Sequence, residues 1–496
     1  MLGGGNMEIR SLAIDIGASS GRLIQGTLED DMISLEEIHR FKNQITNKRD
    51  QKGNEHACWE LDKLYNEILV GIKKSKSNDI ESIGIDTWAV DFVLLNSANE
   101  VIGDTVSYRC HRTDRVMEEV FDIISKEEIY NKTGIQFLQF NTIYQLYAVK
   151  KSDPEYLEEA KSFLMVPDYF NYLLTGKKSN EYTNATSTQL FNVSTKSWDQ
   201  EILKQLDIPS SIFNDPVKPG TVIGEIKDEL KESLDIEELK VIAPATHDTG
   251  SSIVAVPTNS ADYAYISSGT WSLMGVETKK PICTKKALEY NFTNEGGAYE
   301  TNRFLKNIMG LWLIQEVKKE LNDQYDFGEL VELAKEEQAF KSLINPNDSR
   351  FLNPESMIAE IKKYCQETEQ VVPQKPGELA RCIFESLAFQ YKQVLEELTE
   401  VTTKEINKIH IIGGGVQNEF LNQLTADITG LEVYAGPIEA TAIGNLLVQY
   451  IALGYIDSLE EAREIVSNSF TIKNYTPNLS LEEVENNWIK FKELQN

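Results

Sequence analysis

Three stretches rich in alternating apolar residues, IRSLAIDIG, GRLIQGTL and SLEEIHRF, fill positions 9–42 between short turns. They predict three strands. Leu61, Leu64, Tyr65, Ile68, Leu69 and Ile72 then recur at i, i+3, i+4, i+7, i+8 and i+11. That spacing is one face of an amphipathic helix, and the lysines and glutamates between them face water. ESIGIDTWAVDFVLL (81–95) reads as strand, break, strand, and helical periodicity dominates 114–150. FLMVPDYFNYLLTG (163–176) predicts a short buried strand entering a helix that stops at Gly176. Positions 226–240 read as a charged helix or loop.

VIAPATHDTG (241–250) reads as a strand and a helix start. YAYISSGTWSLMGVE (263–277) is strand, glycine corner, strand, which repeats the pattern of SLAIDIGASSGRLIQGTL (11–28) half a chain later. A helix at 381–399 carries Ile383, Phe384, Leu387, Tyr391, Leu395 and Leu398 on one face. IHIIGGGVQNEFLNQLTADITG (409–430) is a strand, three glycines and a helix, and LEVYAG and EATAIGNLLVQYIALG add another strand and helix. The alternation predicts an α/β protein with parallel sheet and helices on its faces. No Pro/Ser-rich linker divides the chain, and the second hairpin system places the boundary near 241–250, giving domains at 7–245 and 246–496.

Charge narrows the partners. Lys+Arg total 49 against 78 Asp+Glu, a net of −29 over 496 residues. Such a surface repels nucleic-acid backbones and anionic lipid, so neither is an expected partner. An anionic substrate then needs backbone amides, a few basic residues or a divalent cation. No run approaches the roughly 18 apolar residues of a membrane span. The five cysteines are scattered without a CxxC pair, which fits free thiols in a reducing cytoplasm. His56 and Cys58 lack the second pair of a zinc site. MLGGGNMEIR has no apolar leader, and the second methionine, Met7, marks residues 1–6 as an extension.

The candidate chemistry sits at the corners. In DIGASSGR, Asp15 ends an apolar strand beside a small-residue hairpin tip whose amides suit phosphate oxygens. Glycine there admits backbone conformations closed to other residues and a close ligand. A carboxylate beside such a cradle calls for Mg²⁺ between them, and it also fits a plain turn cap. Neither a Walker A loop nor a Rossmann fingerprint is present. THDTG puts Asp248 at a helix start, where N-terminal amides favour its ionised form and where it can accept an alcohol proton during phosphoryl transfer or act only as a cap. In IIGGGVQN the glycines permit close approach at a helix N-terminus, or form only a tight turn.

These features occur in order, together with IHRFKN, GIDTWAVDF, SSGTWSL, FTNEGG and LKNIMGLWL. The set resembles the FGGY carbohydrate kinases of the actin-like ATPase superfamily, over residues 9–445. The resemblance implies two lobes with duplicated ribonuclease-H-like cores around a central cleft that holds ATP. It makes Asp248 the proton acceptor for a sugar's primary hydroxyl. It places Ala18, Ser19, Ser20, Gly21, Arg22, Thr270, Gln315, Gly414 and Gly415 on ATP. It lines the sugar site with Ala89, His247, Asp248, Thr249 and Asn307, and gives Asp15 the Mg²⁺, through water. The implied partners are a small sugar and ATP. Two positions depart from the pattern: Ala89 stands where glycine is often found, and Cys110 in SYRCHRT stands where related kinases often carry an acid. Arg109 and Arg112 are therefore left outside the site. Trp88 and Trp271 read as packing residues, and Lys306 as a solvated lysine. A kinase for another ketose or polyol is the near alternative, and a nucleotide switch without a sugar the remote one.

Overall fold

The opening strand, Ile9–Ile16, is buried along almost its whole length. A strand so apolar on both faces belongs at the centre of a covered sheet. In the computed structural model, which describes residues 8–50, 52–75 and 79–495, it does. The expected extension at 1–6 lies outside the described residues. Ile9–Ile16 pairs antiparallel with Ser20–Glu29, which pairs antiparallel with Met32–Lys42. On its other side it pairs parallel with Ile80–Thr87. Lys240–Ala243 follows in parallel, and Thr221–Glu225 closes the edge antiparallel.

The chain divides into two compact units built from separated stretches. The first takes residues up to Thr258, Glu277–Phe304 and Ala440–Ser469; the second takes Asn259–Val276, Leu305–Glu439 and the chain from Phe470. The sheet above belongs to the first unit. Helix Leu61–Lys74 covers one face through Leu64, Ile68 and Ile72, as its spacing predicts. Helix Ala440–Leu453 packs against the same sheet, with Gln449 Nε2 donating to Leu12 O (3.0 Å) and Tyr450 OH to Gly26 O (2.8 Å).

The sheet of the second unit repeats this strand order. Tyr263–Ser268 pairs antiparallel with Trp271–Thr278 and parallel with Lys408–Ile412. Glu432–Ala435 follows in parallel and Lys473–Tyr475 antiparallel, while Asn302–Met309 flanks Trp271–Thr278 on the far side. The mixed sheets make this an α/β fold in which each sheet centres on a parallel pair and opens on a hairpin.

Three expectations change in detail. The helix expected at 381–399 runs from Pro376 to Thr402. Proline is tolerated at the first helical position, and Glu378 accepts from Lys375 N (3.2 Å), so the start lies before the apolar periodicity. The glycines of IIGGGVQN form a 3₁₀ turn, Gly414–Gln417, and the helix begins at Glu419 behind an Asn418 cap. Lys306 is not solvated: its ammonium pairs with Glu397 at 2.7 Å, and 14% of its side chain is exposed. Among the described residues no helix is long and apolar enough to cross a membrane.

One close approach fixes where Asp248 sits. Helix Asp248–Val254 lies against helix Ala440–Leu453 at Gly444, where a Cβ would stand 1.8 Å from Ser251 O. Backbone cannot yield like a side-chain tip, so Gly444→Ala must push the helices apart. We expect a loss of about 2–3 kcal/mol in denaturant unfolding and a fall in activity, because the helix carrying Asp248 moves.

Candidate active site

Strand register gathers the carboxylates. Asp15 lies opposite Arg22 in the antiparallel pair and opposite Asp86 in the parallel pair. Residues in register share a face, so an apolar sheet presents acid, base and acid side by side. Arg22 Nη2 donates to Asp15 Oδ2 at 2.8 Å. Asp86 is fully buried. Asn445 Nδ2 donates to its Oδ2 at 2.6 Å, and its Oδ1 has no hydrogen-bond partner among the described residues. Burial, Asp15 and Asp248 together push the Asp86 carboxyl well above the usual range.

The next corner brings in Asp248. Thr87 N donates to Thr246 O at 2.9 Å, and Thr87 bridges His247 in parallel. Buried Glu181 fixes the approach by accepting from Thr246 N (3.0 Å) and Thr246 Oγ1 (2.8 Å). Asp248 then opens its helix, with Oδ1 accepting from Thr249 N (2.6 Å) and Thr249 Oγ1 (3.2 Å). A third of its side chain, 32%, remains open, so a substrate hydroxyl can reach it. The protein around it still pushes its carboxyl above the usual range; His247 opposes, Asp15 adds, and Thr249 opposes. The expected help from helix amides is present but partial, since Thr249 N opposes the rise without cancelling it. The helix has only seven residues, and one amide, Thr249 N, reaches the carboxylate.

Behind Asp248 lies a buried ionic chain. His247 Nε2 stands 3.4 Å from Asp248 Oδ1, and His247 Nδ1 stands 3.2 Å from Glu295 Oε2. Arg303, fully buried, places Nη2 3.1 Å from Glu295 Oε2 and 3.2 Å from His247 Nδ1, and its Nε donates to Gly296 O at 2.9 Å. A guanidinium only donates. When Nη2 serves Nδ1, the ring proton therefore sits on Nε2, facing Asp248. Glu295 is held below the usual range although burial opposes this, because Arg303 and His247 favour its charged form.

The hairpin tip is closed by Gly17 N donating to Ser20 O (2.9 Å) and held by Asn43 N on Ser19 O (3.0 Å). Neither Gly17 nor Gly21 has the left-handed backbone expected at a glycine corner. Gly21 is needed for packing instead, since a Cβ there would meet the Phe41 ring at 2.2 Å. Ala18 is half-buried and Ser19 exposed at the tip.

In the second unit, Thr270 Oγ1 donates to Gln315 Oε1 at 3.4 Å. The Gly269 and Thr270 carbonyls accept from Leu311 N and Trp312 N, which fastens the hairpin tip to the helix carrying Gln315. Gly413 has φ 86°, a backbone that favours glycine. A Cβ at Gly415 would stand 2.0 Å from Ser268 Oγ, while Gly414 faces open space. Thr270, Gln315, Gly414 and Gly415 thus belong to one locality around the end of strand Tyr263–Ser268. Asn307 is half-buried on Asn302–Met309 in the same unit.

The first unit likewise brings together Asp15, Arg22, His247, Asp248 and Thr249, with Ala89 two residues beyond Thr87. The sequence reading missed Asp86, Glu295, Arg303 and Asn445. The carboxylate group fits a divalent cation. It is an all-oxygen, hard donor set with an unpartnered buried oxygen, in which Arg22 bonds Asp15 and favours the charged form of Asp86. Among the described residues the acids do not close into a three-ligand cluster.

Comparison with known proteins identifies the family and the fold. The N-terminal domain profile of the FGGY family of carbohydrate kinases matches residues 11–255, and the C-terminal domain profile matches 264–453. A rhamnulokinase of Oceanobacillus iheyensis is 54% identical over 471 residues, 95% of this chain and 98% of that one. One of Halalkalibacterium halodurans is 55% identical over 467 residues, 94% and 98% of the two chains. Among solved structures, gluconate kinase from Lactobacillus acidophilus superposes with a TM-score of 0.80 at 18% identity, covering 99% of this chain and 97% of that one. Plasmodium falciparum glycerol kinase with ADP gives 0.75 at 16% identity, covering 99% of each. At such identities the structural likeness speaks for the fold.

The ionic chain yields a stability test. Glu295→Gln leaves Arg303 buried without its carboxylate, and we expect a loss of about 3 kcal/mol or more in chemical unfolding. Glu295→Gln combined with Arg303→Met removes both charges and should recover most of that loss. Equal stability of the single variant and wild type would show that the pair carries no weight.

Proposed function

The chain belongs to the FGGY family of carbohydrate kinases, and from that premise we propose that it transfers the γ-phosphoryl group of ATP to O1 of L-rhamnulose. The relatives named rhamnulokinase support the sugar, since they match at about half identity over nearly the whole of both chains. The observation that carries the chemistry is Asp248: a reachable carboxylate with a raised pKa, oriented by Thr249 and His247. We also read the shared strand order of the two sheets as a duplicated ribonuclease-H-like core.

In this reading Asp248 takes the O1 proton as O1 bonds to the γ-phosphorus and the bond to the β-phosphate oxygen breaks, leaving ADP. A base with a raised pKa is the better proton acceptor so long as it is ionised at working pH. The Ala18–Arg22 tip supplies amides, hydroxyls and one guanidinium for phosphate oxygens. Thr270, Gln315, Gly414 and Gly415 are read as nucleotide contacts, and Ala89, His247, Thr249 and Asn307 as sugar contacts. Asp15 would hold Mg²⁺ through water, and the ion, when bound, neutralises phosphate charge. Most of the rate enhancement then comes from alignment and charge stabilisation.

ADP release in Mg·ATP should rise strongly with L-rhamnulose and little with L-fuculose, D-xylulose, L-ribulose or glycerol. A stronger response to another of these would replace the substrate, and equal turnover in every tube would contradict the kinase. Asp248→Asn should cut kcat by at least about 10²-fold while ATP affinity stays near wild type. The pH profile has a definite sign. The base works ionised, and its pKa lies above the ordinary aspartate value of 3.8. Activity should therefore fall with acidification at a higher pH than an unperturbed aspartate gives, and Asp248→Asn should abolish that limb.

A further inference from the structure

Strand Ile80–Thr87 leaves the sheet beside His247 and turns through Trp88, Ala89, Val90 and Asp91. Ala89 is the one residue from Ser82 to Leu95 that is not buried. The turn is tight, with Asp91 N donating to Ala89 O at 3.0 Å. Val90 has φ 68°, a left-handed backbone that a β-branched residue rarely adopts. Such strain persists only where the surroundings overdetermine it, and it concentrates at functional sites.

The surroundings here do so. Val90 O accepts from Thr142 Oγ1 at 2.7 Å and from Gln145 Nε2 at 3.3 Å. Asp91, 1% exposed, is ringed by neutral donors. Its Oδ2 accepts from Trp59 Nε1 (2.6 Å), Trp88 Nε1 (2.9 Å) and Tyr108 N (3.1 Å), and its Oδ1 accepts from Gln145 Nε2 (2.8 Å). The Trp59 and Trp88 rings lie 4.2 Å apart under the turn. A core that needed only packing would fill this place with apolar side chains, since a buried carboxylate is costly even with a guanidinium near it, here Arg112, whose Nη2 donates to Gln145 Oε1 at 2.7 Å. The carboxylate instead gathers four donors, Trp88 of the turn itself and Trp59, Tyr108 and Gln145 from three other segments, around one strained peptide beside the half-buried Ala89.

We propose that Asp91 is a positioning residue that governs sugar affinity. It locks the Trp88–Asp91 turn so that Ala89 stands as a rigid wall on the acceptor side of Asp248. This rests on the kinase reading. The wall acts on the sugar and not on the nucleotide, because the turn follows the strand end that bridges His247. A loosened wall lets the acceptor sit slightly misplaced, and displacements near 1 Å are costly in both affinity and rate.

The test measures L-rhamnulose binding by calorimetry without ATP, KM for sugar and for ATP separately, and thermal stability. The proteins are wild type, Asp91→Asn and Thr142→Val. Asp91→Asn turns an amide N–H toward donors, and Thr142→Val keeps the shape while removing the bond to Val90 O. We expect sugar affinity to fall about tenfold or more in Asp91→Asn and several-fold in Thr142→Val, with KM for ATP within about twofold. Unchanged sugar affinity in folded Thr142→Val, or equal losses for sugar and ATP, would overturn the proposal. Thr142→Val decides the matter if Asp91→Asn fails to fold. Calorimetry separates the two claims: wild type that binds L-rhamnulose but transfers no phosphate contradicts the kinase reading, while the affinity comparison still judges the turn.

Discussion

Everything at the candidate site depends on placing like charges together where strands end. Asp15 raises the cost of ionising both Asp86 and Asp248, Asp248 adds to that of Asp86, and Asp86 is fully buried. Left alone, such a group would take up protons or unfold the corner. The fold tolerates it through two specific contacts, Arg22 on Asp15 and Asn445 on Asp86. Asn445 comes from a helix 359 residues later in the chain. That helix also meets the Asp248 helix at Gly444, so one element steadies two of the three acids.

The same corner shows why acidity and phosphate handling coexist. A chain of net charge −29 would repel a nucleotide at long range. In the proposed reading the remedies are local: hairpin amides, one guanidinium, and a cation held by the carboxylates. The buried Glu295–Arg303 pair serves differently. It meets no solvent, so its value is geometric, orienting His247 behind Asp248. Breaking such a pair is costly, even though forming it returns little net stability.

Much of this was legible in the sequence. The hairpins, the Leu61–Lys74 helix and the βα corner at Asp248 are set by local alternation and spacing, which a linear reading captures. Asp15 and Asp248 stood out because each interrupts or ends an apolar run. Asp86 did the same within SIGIDTW, but its importance comes from register with Asp15, a long-range fact. Glu295, Arg303 and Asn445 were missed because each acts on a residue tens to hundreds of positions away. The usable signal was a charged or amide side chain inside an apolar strand or helix. The upward shift of the Asp248 carboxyl was not legible because helix-end amides are a local cue, whereas the enclosure of the group and Asp15 are set by the tertiary fold.

The central claim is that a phosphoryl group ends on a specific sugar oxygen. The measurement closest to it is ³¹P NMR of the purified protein with Mg·ATP and L-rhamnulose, with proton coupling retained. The account predicts ADP together with a phosphomonoester resonance split by two methylene protons, the signature of phosphate on C1. Inorganic phosphate as the only new signal, or an ester coupled to a single methine proton, would contradict it.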